Sequence, residues 1–322
     1  MAEGLKVLTH TTNLGLLSLI NECSLSLDKI GSYEIGHILG PRLNAMGRLE
    51  HAIDSLRLLC TKDPIKAKRL SNLLSQTNIT RQQLTSNAIE QAKTLIDKQK
   101  KIHVLAHAEW SSGIIGLIAG RITEEYYRPT IAISIGEETS KGSARSINGI
   151  NIVEVIRKCS DILIDVGGHP GAAGFSIKTK HLEIFKKKVE EYAALWPEDS
   201  EKVINIDARV NLDQITKKLI EQLKIFEPFG VGNPRPVFST TGQVSHIRTV
   251  GEGKHLKFKV SPVILGSETT PESNFIDCIA FGMGEIQSMV QNGQQVDVAY
   301  TPEIDTYNGF EKIQLKVKDI KI

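Results

Sequence analysis

Three short stretches carry side chains suited to holding an anion. In GGHPGAAGF (167–175), His169 follows Gly167 and Gly168. Glycines leave the backbone bare, so amide N–H groups can approach an anion closely. A histidine at that tip can donate to a phosphate oxygen or act in acid–base work. The same residues would equally make a tight turn with a surface histidine. In KGSARSI (141–147), Ser143 and Arg145 stand two apart, so on a strand they face one side. A hydroxyl and a guanidinium pointing one way suit a phosphate pocket, and a solvated strand face is the plainer alternative. GPRLNAMGRL (40–49) brings Arg42, Asn44 and Arg48 into what its glycines and proline mark as a non-helical loop. Either arginine can pair with phosphate, and Asn44 can satisfy loop backbone groups or cap the next helix.

Weaker signals lie elsewhere. Arg121 sits on the helix after Ser111-Ser112-Gly113, whose N-terminus favours anions. Arg81 and Gln82 fall early on a long helix. Further on, Arg235, His246, Arg248, Lys254, His255, Lys257 and Lys259 cluster around Phe258. Basic strands with an interleaved aromatic suit a single-stranded nucleic-acid groove. Lys257 and Lys259 share one strand face, and Phe258 points the other way, as a core residue would.

The elements that must position these residues follow from periodicity. Residues 1–100 read as mostly helical, with apolar spacing in GLKVLTHTT and GLLSLINECSL. Asp63-Pro64 is a helix-start signal. The segment from there to Lys100, free of Gly and of further Pro, is expected to hold a short helix and a long one over about 77–100. At ~1.5 Å per residue the latter would span roughly 35 Å, enough to bridge two lobes. Residues 101–195 alternate strand and helix: KIHVLAHA, SSGIIGLIAGRITEEYY, RPTIAISI, KGSARSI, INIVEVIRKCSD, a Gly-rich turn feeding a strand in GGHPGAAGFSI, and HLEIFKKKVEEYAALW. That alternation argues an α/β domain with helices covering a sheet. Residues 196–200 read as a polar linker. Then come a strand in INIDARVNL, one helix over about 212–226, and five strands: TGQVSHIRTV, KHLKFKVSPVIL, NFIDCIAFG, QQVDVAYTPEI and EKIQLKVKDI. An Asn308-Gly309 turn joins the last two. Five short strands suggest a small barrel of the OB type.

Composition removes other classes. Across 322 residues, 39 Lys+Arg against 37 Asp+Glu give a net charge of +2, so neither a histone-like chain nor an acidic tail is present. A local basic groove remains compatible with that small net charge. No apolar run reaches the ~20 residues of a membrane-spanning helix. The N-terminus has no signal-peptide layout. Four scattered cysteines without a CxxC argue against a zinc cluster or a disulfide framework and fit a reducing cytoplasm. P-loop, HExxH and GxSxG motifs are absent.

Taken in order, GPRLNAMGRL, NITRQQ (78–83), EWSSGIIGLIAGR (109–121), YYRPT (126–130), KGSARSI, GGHPGAAGF and FGVGNPRPVF (229–238) resemble the RecJ-type single-strand-specific DNA exonucleases of the DHH phosphoesterase superfamily. The resemblance implies a helical remnant of the DHH catalytic lobe (1–80), a linking helix (81–100), a DHH-associated α/β domain (101–196) and an OB-fold-like domain (197–322). It further implies 5′-to-3′ phosphodiester hydrolysis in DNA repair and recombination, assisted by Mn²⁺ or Mg²⁺. No DHH tripeptide and no DxD occurs here, so the chain is expected to start late in the catalytic lobe, to hold no metal ligands and to hydrolyse poorly alone. Ser143, Arg145, Gly167, Gly168 and His169 would hold phosphates, faced by Arg48, Arg42 and Asn44. Gln82 and Arg121 would line the strand's path, and Arg248, Lys257 and Lys259 would hold it further along. Ser111 stands where many relatives carry histidine, and no substrate role is assigned there. Implied partners are single-stranded DNA, with a single-strand-binding protein and a helicase as candidates. Two other functions fit the residues: a non-catalytic single-strand-binding module, and a phosphoesterase for short oligonucleotides or cyclic dinucleotides, the latter disfavoured by the OB-like tail.

Overall fold

The computed structural model describes residues 1–197, 202–263, 275–306 and 309–322. Part of the expected linker (198–200), the end of the strand over 254–265, the first residue of NFIDCIAFG and Asn308 lie outside the described residues. The chain divides into two compact units, one of Glu3–Lys202 and one containing Val203–Ile322.

The first unit opens with α1 (Ala2–Leu8) and α2 (Leu14–Glu22). Asn13 caps α2, its Oδ1 accepting the Leu16 N–H at 2.9 Å. A π-helical turn (Glu34–Leu39) runs straight into α3 (Gly40–Leu49), followed by α4 (Ile53–Cys60) and α5 (Pro64–Thr94). Leu19, Ile20, Leu39, Met46, Leu58, Leu70 and Leu74 form their shared core.

Two expectations are corrected here. GPRLNAMGRL is a helix, not a loop. Pro41 follows directly on the π turn, whose wider spacing spares the carbonyl that a proline ring would strike. The segment after Asp63 is one continuous helix of 31 residues, not a short and a long one. It spans about 46 Å. Asp63 starts it as expected, Oδ1 accepting from the Ile65 and Lys66 N–H groups at 2.8 and 3.3 Å. The first half of α5 packs on α2, α3 and α4, so no break is needed where the pattern suggested one.

The α/β part holds β1 (His103–His107), α6 (Ile115–Tyr126), β2 (Thr130–Ser134), β3 (Thr139–Arg145), α7 (Ile152–Arg157), β4 (Leu163–His169), β5 (Ala172–Lys178) and α8 (Leu182–Ala194). The sheet order is β1-β2-β3-β5-β4, with β1 and β2 parallel and the other pairs antiparallel. One face buries Ile131, Ile133, Phe175 and Ile177 with Ile156 of α7 and Phe185 of α8. On the other, Leu105 and Ala132 pack under Ile118 and Ile122 of α6, which meets Ala88 and Ala92 of α5. Gly167 and Gly168 belong to β4 itself, and only Pro170-Gly171 form the turn, a smaller correction to the expected Gly-rich turn.

The second unit comprises β6 (Ala208–Arg209), α9 (Lys217–Leu223), β7 (Phe238–Val250), β8 (His255–Ser261), β9 (Ile276–Ala280), β10 (Gln295–Asp305) and β11 (Lys312–Lys321). The helix expected over 212–226 is shorter. Asn211 and Thr216 each cap a separate piece, which splits it into a 3₁₀ turn and α9. The strands pair as β7-β8-β9-β11-β10, and β10 pairs back to β7, closing a five-stranded ring around Phe258, Tyr300, Leu315 and Val298. Among the described residues no helix is long and apolar enough to cross a membrane.

Candidate phosphate-binding site

Strand register builds the site. Directly opposed residues on neighbouring strands share a face. Pairing across β3, β5 and β4 therefore puts three rows on one side: Lys141–Ser176–Asp165, Ser143–Gly174–Gly167 and Arg145–Ala172–His169. The alternate residues Gly142, Ala144, Ala173 and Phe175 point into the core. The middle strand offers only Ala, Gly and Ser, so the face is shallow and its rims carry the chemistry.

Helix α6 forms one wall. A Cβ on Gly116 would lie 3.1 Å from Ser143 Oγ and 3.3 Å from Arg145 Nη2, so a bare backbone there leaves room for both side chains. Helix α3 supplies the other wall through Arg48. A Cβ on Gly113 would lie 1.8 Å from the Arg48 carbonyl oxygen, a closeness only glycine tolerates. The Arg48 guanidinium returns to donate to the Gly113 oxygen at 3.1 Å. Arg48, Ser143 and Arg145 line one cavity of about 380 Å³ with Ser112, Lys141 and Ser176, and Asp165 is its one acidic lining residue.

The electrostatics favour an anion. Arg145 Nη1 donates to the Ala144 oxygen at 2.9 Å and lies 3.5 Å from Ser143 Oγ. Burial, then the positive charge of Arg48, push the Arg145 guanidinium below its ordinary value. The same two causes act on Arg81, whose Nε and Nη2 share Asn78 Oδ1 at 3.2 and 3.0 Å. Arg48, Arg81 and Arg145 have no ion-paired carboxylate among the described residues. Three neighbouring guanidiniums with no carboxylate in ion-pair contact are relieved by binding a polyanion.

The other sequence candidates fall in different places. His169 is exposed at the end of β4. Its Nδ1 accepts the Gly171 N–H at 3.2 Å, which leaves Nε2 as the ring's free donor position. Gly168 has φ +149° and its Cβ would strike the Ala172 oxygen at 2.3 Å, so this row of the sheet requires glycine. Arg42 turns back into its own lobe, donating to the Ile38 oxygen at 2.8 Å and to Ser75 Oγ at 3.2 Å. Asn44 and Gln82 do not line the cavity. Arg121 faces Glu124 and Glu125 at 3.8 and 4.0 Å, far along α6 from Ser111 and Ser112. Lys141, Ser176, Gly113 and Gly116 join the site without a sequence signal that singles them out. Lys141 comes nearest to one, since it continues the two-residue spacing of Ser143 and Arg145.

In the ring, Arg248, Lys257, Ile279 and Lys316 form one row on the outer face of β7, β8, β9 and β11. Lys259 lies in the next row, opposite Asp277, in a cavity shared with Asp213 and Lys312. Lys259 thus has a carboxylate directly across the strand pair, whereas Lys257 stands between Arg248 and Ile279.

A divalent-metal centre does not fit the residues present. Among the described residues no group of three or more His, Cys, Asp and Glu could hold an ion. Asp165 and His169, on the same face of β4, stand four residues and thus about 13 Å apart.

Residues 99–195 match the DHHA1 domain and residues 206–319 the RecJ OB domain, which defines a DHHA1 protein with an appended OB domain. The single-stranded-DNA-specific exonuclease RecJ of Bacillus subtilis (strain 168) is 32% identical over 328 residues, covering 99% of this chain and 41% of the relative. The chain thus carries the two domains that these models describe and is similar to RecJ over nearly its whole length. RecJ of Thermus thermophilus is 35% identical over 230 residues, covering 71% of this chain and 34% of the relative. The crystal structure of Thermus thermophilus RecJ in complex with Mn²⁺ aligns with a TM-score of 0.86 at 29% identity, over 99% of this chain and 46% of that one. The same protein has also been crystallised with Mg²⁺. The chain thus spans less than half the length of these relatives.

Proposed function

We propose that this chain supplies the substrate-holding part of a 5′-to-3′ single-stranded DNA exonuclease. One observation carries the reading: Arg48, Ser143 and Arg145 line a single cavity with no ion-paired carboxylate on either arginine among the described residues. Arg145 and Arg48 grip the oxygens of a strand-terminal phosphate from two sides, and the Ser143 hydroxyl donates to a third. His169 Nε2–H and the exposed backbone at Gly167 and Gly168 meet the following phosphate along β4. Hydrolysis of this kind draws on divalent metals, and ligands for them are not found among the described residues. Hydrolysis by these 322 residues alone is accordingly expected to be negligible. Arg248 and Lys257 hold the strand on the ring. The domain limits 1–80, 81–100, 101–196 and 197–322, a cytoplasmic setting, and assembly with a single-strand-binding protein and a helicase belong to the same proposal.

The test is an anisotropy titration at one fixed salt concentration, because phosphate binding depends steeply on salt. A 5′-phosphorylated single strand should bind more tightly than its 5′-hydroxyl counterpart and far more tightly than blunt duplex. Equal affinity for the two 5′ ends rejects the terminal-phosphate assignment. Processive digestion by metal-stripped protein on adding Mn²⁺ rejects the inactivity.

A further inference from the structure

The aromatic residue inside the basic stretch, Phe258, is 1% exposed and belongs to the ring core. If the outer face holds bases, another ring must serve. Phe281 follows the last residue of β9 on that outer face, in line with Ile279, and is 52% exposed. Lys316 Nζ stands 5.2 Å from its ring centroid. The His255 ring meets it edge-on, with centroids 5.1 Å apart at 70°. His255 is itself anchored, Nδ1 accepting the Gly282 N–H at 3.0 Å. Phe281 is therefore steadied from two sides while half its surface stays open.

The surroundings are cationic. Arg248, Lys257 and Lys316 form the adjoining row, and none is ion-paired with a carboxylate among the described residues. Arg248 reaches that face through a β-bulge. The register of β7 against β8 shifts between Ser245 and Arg248, with His246 at φ +55°. Unshifted pairing would put Ile247 beside Lys257 and turn Arg248 inward. A half-exposed aromatic ring beside three cations that lack a carboxylate partner among the described residues is complementary to a base and its flanking phosphates.

We infer that Phe281 is the base-stacking platform of this ring, taking one base of single-stranded DNA while Arg248, Lys257 and Lys316 hold the neighbouring phosphates. The inference rests on the proposed function, since it names the residue by which the OB domain holds its strand.

The experiment titrates the whole 322-residue chain with oligothymidylate and with an abasic deoxyribose-phosphate chain of equal length, at several salt concentrations. Phe281→Ala should bind oligothymidylate about tenfold more weakly and leave abasic binding and the salt slope unchanged. Phe281→Trp should restore the preference for bases. Lys257→Ala should instead weaken both ligands and lower the salt slope by about one. If wild-type protein prefers bases and Phe281→Ala keeps that preference, or weakens both ligands alike, the platform assignment falls and the proposed function stands. If wild-type protein binds neither ligand, both readings fall.

Discussion

Arg48 grips Gly113 from both ends: its carbonyl oxygen lies where a Cβ on residue 113 would have to be, and its guanidinium bonds the Gly113 oxygen at 3.1 Å. The helical lobe and the α/β sheet thus meet at a backbone-on-backbone contact that also aims Arg48 into the cavity. Gly113→Ala forces that contact apart. We expect a loss of about 1–3 kcal/mol in stability from overpacking, read by denaturant unfolding, together with weaker DNA binding. Binding that survives while stability falls would show that Arg48 is aimed by other contacts.

Arg145→Ala should weaken binding of a 5′-phosphorylated strand by about 1–3 kcal/mol, the scale of a hydrogen bond to a charged group. Arg145→Lys should recover little, because a single ammonium cannot reproduce a forked pair of donors. Combining Arg145→Ala with Arg48→Ala should cost less than the sum of the single changes if both hold one phosphate, and a double-mutant cycle measures the difference.

Lys259→Ala should change the salt slope of binding less than Lys257→Ala. Asp277 stands opposite Lys259, whereas Lys257 adjoins Arg248 and Lys316 through an apolar neighbour. Slopes of log affinity against log salt for the two variants decide the matter, and equal slopes would count against the distinction.

His103 should make the fold acid-sensitive. It is 3% exposed, neither ring nitrogen has a hydrogen-bond partner among the described residues, and its ring packs edge-on against Tyr126. Burial, then the nearby positive Arg128, lower its pKa from the usual 6.5. Because the folded value is depressed, the unfolded chain takes up the proton first. This contribution to stability is whole above pH 6.5 and is lost as pH falls through that value toward the folded one. Melting temperatures between about pH 8 and pH 5 should fall with acid, and His103→Phe should flatten the fall. An unchanged slope in His103→Phe would assign the acid sensitivity elsewhere.

Much of this arrangement is legible in the residues. Alternation across 141–147 places Ser143 and Arg145 on one face, and apolar spacing gives nearly every helix and strand of the α/β domain. Residues 40–49 mislead because proline and glycine usually break helices. Here Pro41 follows a π turn that makes room for its ring, and Gly47 lies on an exposed side. The middle of α5, poor in charge, has weak amphipathic contrast, and only packing on both sides explains its continuity. The neighbourhood of Arg48 with Arg81 and Arg145 is invisible in sequence, since it depends on residues tens of positions apart meeting across α3, α5 and β3. Phe281 is hidden for a related reason: it lies outside the basic stretch in sequence and joins it only through strand pairing.

The unbroken α5 has one more consequence. A single rod carries both the lobe that bears Arg48 and, through Ala88 and Ala92, the helix that walls Ser143 and Arg145. Jaws mounted on one beam cannot swing without buckling it. On the proposed function, a strand would meet phosphate-holding groups already set in place and surrender little affinity to ordering the protein.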